Sequence, residues 1–291
     1  MEITVSEQKA FEVRPALTAE QARERAWDQK MAAFGTFSRL LHRPKGDEIK
    51  VASAQKRFDP VWHVIAHKRL VFHRSREYRV PVADAAIRRI TIEGTDYPVS
   101  AAAPPYFNVR GMEHCEEDLR TETLVDGVKG VELQAPALAR AARDEILELS
   151  GFAPADAVVV PPQVRASTIV QRVVQKLMTT YEADQIEEEG IEIEQLNLLY
   201  RPVYVFQYVW EAKGKQAVVE LDAVGGEART GDSNFQQQIR QLGQIFKPDT
   251  LFDLGAETLG SLVPGGTIVL KLGGKVARVI GDHQRRQQKE S

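Results

Sequence analysis

Arg201-Pro202-Val203-Tyr204-Val205-Phe206-Gln207-Tyr208-Val209-Trp210 decides the fold. From Val203 onward it is β-branched and aromatic nearly throughout, the composition of a pleated, half-buried strand. Pro202 lacks an N–H and fixes φ, so it marks the point where strand pairing begins. Downstream, residues 211–215 with Gly214 turn the chain into a third strand over 216–221. Residues 222–227, with Gly225 and Gly226, lead to a short fourth. Upstream, Ile191 and Ile193 alternate with Glu192 and Glu194, then Leu196 and Leu198 follow. This is a strand with one wet face and a bulge near Gln195. Before it, Ile169, Val170, Val173, Val174, Leu177, Met178 and Tyr181 recur at helical spacing over 168–181. The unit reads as a helix followed by an antiparallel meander.

The first hundred residues repeat this order. Thr18 with Gln21 three residues on forms a capping box, Leu17 supplies an apolar staple, and the helix runs to about Phe34. Strands are expected over 49–57, 61–72, 78–82 and 87–92. Pro60, Val61, Trp62 and Val64 stand where Pro202, Val203, Tyr204 and Phe206 stand later, and Asp84-Ala85 is matched with Asp222-Ala223. This alignment implies an internal duplication. Residues 101–163 read as a connector, with a strand over 119–125 and a helix opening at Pro136 that carries Leu138, Ala142, Ile146 and Leu149 on one side. After a second unit over 164–232, residues 233–291 read as a helical tail with helices over 234–246, 251–262 and 267–280.

The run from Arg201 to Tyr208, then Lys213-Gly214-Lys215, Val218 to Ala223 and Gly226-Glu227, resembles the signature of the PepSY family over residues 167–229, and more weakly over 18–92. The resemblance implies a cystatin-like unit and a role in inhibiting or regulating peptidases.

With 291 residues and 43% hydrophobic content the chain can bury a sizeable core, which excludes a disordered or fibrous protein. Thirty-eight basic against 41 acidic residues are too balanced for a dedicated nucleic-acid binder. Cys115 is a lone thiol with no second cysteine, residues 1–14 lack the apolar core of a secretory signal, and no stretch of about 20 apolar residues occurs. A cytoplasmic chain without a cofactor is the expectation. Charge is split along the chain: residues 1–100 carry 18 basic and 13 acidic side chains, the remainder 20 and 28. The basic side chains gather at an expected hairpin, whereas the acidic run from Glu182 to Glu194 makes the corresponding part of the second copy acidic. Such asymmetry can dock the halves, pair two molecules or recruit a partner.

His63, His67 and His73 fall within eleven residues; a metal needs three or four such ligands to converge. No nucleophile elbow, phosphate loop or His-Glu-x-x-His helix is present. The fold class expected is therefore α+β, two PepSY-like units with a helix packed on each meander, plus the helical tail. The function expected is a non-catalytic binding or regulatory protein, in the form of a peptidase-regulating or protein-interaction module. Its contact residues are Trp62, His67, Lys68, Arg69, Arg74 and Arg76, its partner a protein and not nucleic acid. Two alternatives stay open: a metal-dependent hydrolase built on His63, His67 and His73, and a structural subunit whose tail makes a homo-oligomer or touches a membrane surface.

Overall fold

Residues Ile49–Pro81 and Gln185–Trp210 form two uninterrupted strands of 33 and 26 residues, paired antiparallel from His73 opposite Gln185 to Ile49 opposite Trp210. They are the spine of the computed structural model, which describes residues 1–34, 48–231, 267–272 and 275–280. In chain order the elements are β1 (Glu2–Val5), β2 (Gln8–Val13), α1 (Ala19–Ala33), β3 (Ile49–Pro81), β4 (Arg89–Ile92), β5 (Thr95–Pro98), β6 (Tyr106–Asp126) and β7 (Glu132–Leu133). There follow α2 (Pro136–Ala139), β8 (Arg143–Ile146), β9 (Ala157–Val159), α3 (Ala166–Leu177), β10 (Gln185–Trp210), β11 (Lys215–Asp222), β12 (Ala228–Gly231), β13 (Thr267–Leu272) and β14 (Lys275–Ile280). Among the described residues twelve strands join one mixed sheet, and β4 and β5 form a separate hairpin. No helix among the described residues is long and apolar enough to cross a membrane.

The expected α+β architecture of two separate helix-on-meander units with a helical tail is overturned: the protein is predominantly β, and both halves share one sheet. The hairpin expected between residues 61 and 82 does not form. β3 continues through it because residues 74–78 stay paired with residues 113–109 of β6, Arg74 opposite Glu113 and Tyr78 opposite Val109. The helix expected from Pro136 shrinks to the single turn α2, after which β8 pairs with β2. The helix expected over 267–280 is instead the β13–β14 hairpin, Leu272 opposite Lys275, with β13 parallel to β1. Gly273-Gly274 between two β-branched runs is a two-residue hairpin signal, so strand pairing overrides the helical reading. The helices expected over 234–246 and 251–262 lie outside the described residues.

The halves nevertheless repeat one another through crossed partners. Val61 pairs with Asp126 and Val203 with Asp222, each directly after its proline. Both aspartates close the same turn. Asp126 Oδ1 accepts from the N–H groups of Val128 and Lys129 (2.8 and 2.8 Å), and Asp222 Oδ1 from those of Val224 and Gly225 (2.8 and 3.1 Å). Gly130 and Gly226, at φ +70° and +76°, then donate to the aspartate carbonyls at 2.8 and 2.9 Å. The counterpart of Asp222 is thus Asp126 and not Asp84. The first hairpin is far longer than the second, and Asp84 lies near its tip, capping Ala86 N–H at 2.8 Å.

The crossing is visible just beyond each turn. The Ala223 carbonyl accepts from Ala16 and Leu17, which lead into α1; the Gly127 carbonyl accepts from Gln163 and Val164, which lead into α3. Trp62 Nε1–H donates to the Val164 carbonyl (2.8 Å), while the Tyr204 hydroxyl donates to that of Leu17 (3.5 Å). Likewise β2 runs parallel to β10 with Ala10 opposite Leu198, and β9 parallel to β3 with Ala157 opposite Lys56. Each helix therefore covers the hairpin of the other half. α1 buries Ala22 and Ala26 against Phe206, Tyr208, Val219 and Leu221, and α3 buries Ile169, Val170, Val173 and Val174 against Trp62, Val64, Val125 and Leu196. Both helices lie on one face of the spine, related by a local two-fold between the paired Asp59 and Arg201. Two of the three bulges between these strands also correspond, with Glu194 the extra residue on β10 and Ala52 on β3; the third leaves Glu187 unpaired on β10.

On the opposite face, at this axis, sits a buried ionic cluster. Arg57 grips Asp59 through Nε (2.6 Å) and Nη2 (2.9 Å) and Glu220 through Nη1 (2.8 Å); Arg201 reaches Asp59 (3.5 Å) and Asp222 (3.4 Å). Burial pushes the Glu220 carboxyl up, but the hydrogen bonds and charges of Arg57 and Arg229 outweigh it, leaving it below the usual carboxylate range. The cluster pins the register of the two spine strands where they cross the axis, since a one-residue slip would turn every member to the other face.

Candidate functional site

The six contact residues expected from sequence do not form one surface. Trp62 is fully buried beneath α3. Lys68 is also buried, donating to Glu117 (2.8 Å) and Thr179 (2.7 Å). His67, Arg69, Arg74 and Arg76 reach solvent, but each already lies beside a carboxylate. His67 meets Asp118 at 2.9 Å, Arg69 meets Glu188 at 3.1 Å, and Arg74 and Arg76 share Glu113 at 2.5 and 3.7 Å. The basic stretch of β3 is flanked by acidic stretches of β6 and β10 on adjacent strands, so much of its charge is spent inside the sheet.

The histidines share one face, since β3 is continuous and their numbers differ by even steps. At about 3.3 Å per residue, His63 and His67 are roughly 13 Å apart and His67 and His73 roughly 20 Å. They form three separate pairs: His63 with Glu122 (2.7 Å), His67 with Asp118, and His73 Nε2 with His114 Nδ1 (3.0 Å). Among the described residues no group of three His, Cys, Asp or Glu side chains is placed to hold a metal ion.

A cleft of about 920 Å³ lies on the helix face instead, between α1 and the start of β9. Ala19, Glu20 and Arg23 of α1 form one wall, residues 53–56 of β3 another, Ala155, Asp156 and Ala157 the rim, and Tyr204 and Phe206 the aromatic floor. Its volume is that of a ligand pocket. Burial raises the Tyr204 hydroxyl above its ordinary pKa, keeping it neutral. Asp156 holds φ +58° at the rim. Among the described residues, Glu20, Arg23, Lys56 and Asp156 make no ion pair, unlike the zipped charges of β3 beyond; Lys56 Nζ only rests 4.5 Å from the Phe58 ring centroid.

The local two-fold shows what this cleft would be if it were filled. The counterparts of Ala19, Glu20 and Arg23 are Ala166, Ser167 and Val170; those of Ala54 and Lys56 are Leu196 and Leu198; those of Tyr204 and Phe206 are Trp62 and Val64. All of these are buried. In that half β1 lays Ile3 and Val5 into the core, opposite Ile191 and Ile193. The segment corresponding to β1 in the second half contains the turn Leu149–Gly151, which is no strand. Sequence reasoning passed over Glu20, Arg23, Lys56 and Asp156. The signal lay in the duplication, where charged side chains on α1 and β3 stand at positions that are small or apolar on α3 and β10. Comparisons of the chain with protein-family models, with curated proteins and with solved structures return no match.

Proposed function

We propose that the chain is a non-catalytic binding protein that holds a polypeptide partner in the cleft between α1 and β9, a regulatory role of the kind implied by the PepSY resemblance. One observation carries the reading: of two equivalent places on the sheet, one is packed solid and the other is an open cleft with an aromatic floor and four charged side chains that make no ion pair among the described residues. An aromatic floor supplies apolar contact at low entropy cost, and Arg23, Lys56, Glu20 and Asp156 supply specificity for a partner carrying charges of both signs. Among the described residues no histidine or cysteine lines the cleft, and the Ser53 hydroxyl is engaged with Gln207 at 3.3 Å.

Selection of a displayed peptide library on the full chain tests this. The expected outcome is saturable binders whose affinity falls roughly tenfold or more in an Arg23→Glu, Lys56→Glu double variant, the equivalent of about 1.4 kcal/mol. Binders that hold the double variant as tightly as the parent, or a selection that yields none, contradict the reading.

A further inference from the structure

We infer that the outer edge of β3 over residues 49–54 is a strand-addition site, which takes an extended polypeptide running parallel to β3; this rests on the cleft being the binding site. The inner edge of β3 is paired with β10 from Ile49 to His73. Its outer edge is paired with β9 only from Lys56 to Phe58 and with β6 only from Val61 onward. Among the described residues no strand pairs with the outer edge before Lys56, and residues 53–56 form a wall of the cleft. An unpaired strand edge is a row of N–H and C=O groups that recruits another strand unless something blocks it.

The occupant's geometry can be read from the other half. There the equivalent edge of β10 is filled twice: by β1, with Ile3 opposite Ile191 and Val5 opposite Ile193, and by β2, with Gln8 opposite Leu196. Both run parallel to β10. Transferred across the local two-fold, an occupant of β3 places two apolar side chains opposite Ile49 and Val51 and a third side chain opposite Ala54, on the face of Lys56. Where β1 shares a core with Val170, the occupant shares the cleft with Arg23. The chemistry that fits is an extended peptide with apolar residues at alternate positions, followed three residues on by a carboxylate that the Arg23 and Lys56 cations can pair.

The N–H of Ala54 points outward. The Phe58 carbonyl accepts from Val160 on that side (2.9 Å), and residues an even number apart along a strand turn their backbone groups to the same edge. Ala54→Pro therefore removes one donor from the free edge while sparing the ladder to β10, and Ala54 is exposed.

The probe is the octapeptide Met-Glu-Ile-Thr-Val-Ser-Glu-Glu, residues 1–8 with Gln8→Glu, titrated onto the full chain by calorimetry beside a version N-methylated at alternate amides. One-to-one saturable binding is expected, lost on N-methylation and weakened about tenfold or more by Ala54→Pro and by Arg23→Glu. Binding that falls with Arg23→Glu but survives both N-methylation and Ala54→Pro overturns strand addition and leaves the cleft as the binding site. Absence of saturable binding overturns strand addition, while the library selection decides the cleft separately. Should Ala54→Pro fail to fold, the N-methylated peptide on the parent chain decides alone.

Discussion

His63 is buried between two opposite charges. Arg143 Nη1 donates to its Nδ1 (3.4 Å), which fixes the ring proton on Nε2, where it is donated to Glu122 (2.7 Å). Burial lowers its pKa most, the Glu122 hydrogen bond raises it and the Arg143 charge lowers it; the net lies below the ordinary 6.5. The unfolded chain therefore takes up a proton before the folded one does as pH falls. The stability from neutral His63 is complete above pH 6.5 and declines from there down to the folded pKa. Urea unfolding of the parent and of His63→Gln at pH 7 and at roughly pH 5.5 measures this: the parent should lose more stability across the interval than the variant. Equal losses would remove His63 from the pH dependence. Sequence alone gave no access to this role, because it depends on Glu122 and Arg143, which are distant in the chain.

At the scale of elements, the paired aspartate turns define the repeat. Gly130 and Gly226 hold positive φ because the chain must double back under an arginine of the crossing helix: a Cβ on Gly130 would stand 2.9 Å from Arg172 Nη1, and one on Gly226 would collide with Arg25 Nη1. Gly130→Ala and Gly226→Ala should each destabilise by about 1–2 kcal/mol from the left-handed backbone alone. Gly225→Ala, whose nearest neighbour is Asp222 Cγ at 4.0 Å, should be close to neutral by thermal denaturation. Equal melting temperatures for all three would contradict the shared turn. Much of the second half was legible, although the strands expected over 191–198 and 203–210 are one continuous β10 that runs through Pro202. The bulge at Glu194, next to Gln195, the Gly214 turn and the turn after Asp222 lie where apolar alternation and glycine placed them, and Thr18 with Gln21 makes the capping box with both reciprocal bonds (3.0 and 3.2 Å). The first half misled because residues 73–77 are polar or charged throughout, so no apolar alternation carries the strand from Phe72 to Tyr78. The match of Asp84 to Asp222 relied on similar spacing after the proline, whereas the true partner Asp126 stands 66 residues after Pro60.

For the whole molecule, crossing of the halves explains why one sheet replaces two units. β2 is held by β10 and β9 by β3, so neither half closes its own core, and the buried cluster around Asp59 and Arg201 ties both at the axis. The places beneath α1 and α3 are nevertheless unequal, one packed by β1 and the other open. Beyond His73 the long hairpin continues as a two-stranded arm, β3 against β6, toward the β4–β5 hairpin. Pairing of the basic β3 with acidic β6 and β10 was foreshadowed by the charge split, but which strands would meet depended on long-range register that no local pattern encodes. The crossing is tested most directly by nuclear Overhauser contacts from the Trp62 indole N–H and the Tyr204 ring in the isotope-labelled full chain. Crossed halves require contacts from Trp62 to Val164 and the first turn of α3, and from Tyr204 to Leu17. Contacts from Trp62 to Leu17 and α1, with Tyr204 against α3, would contradict the crossing.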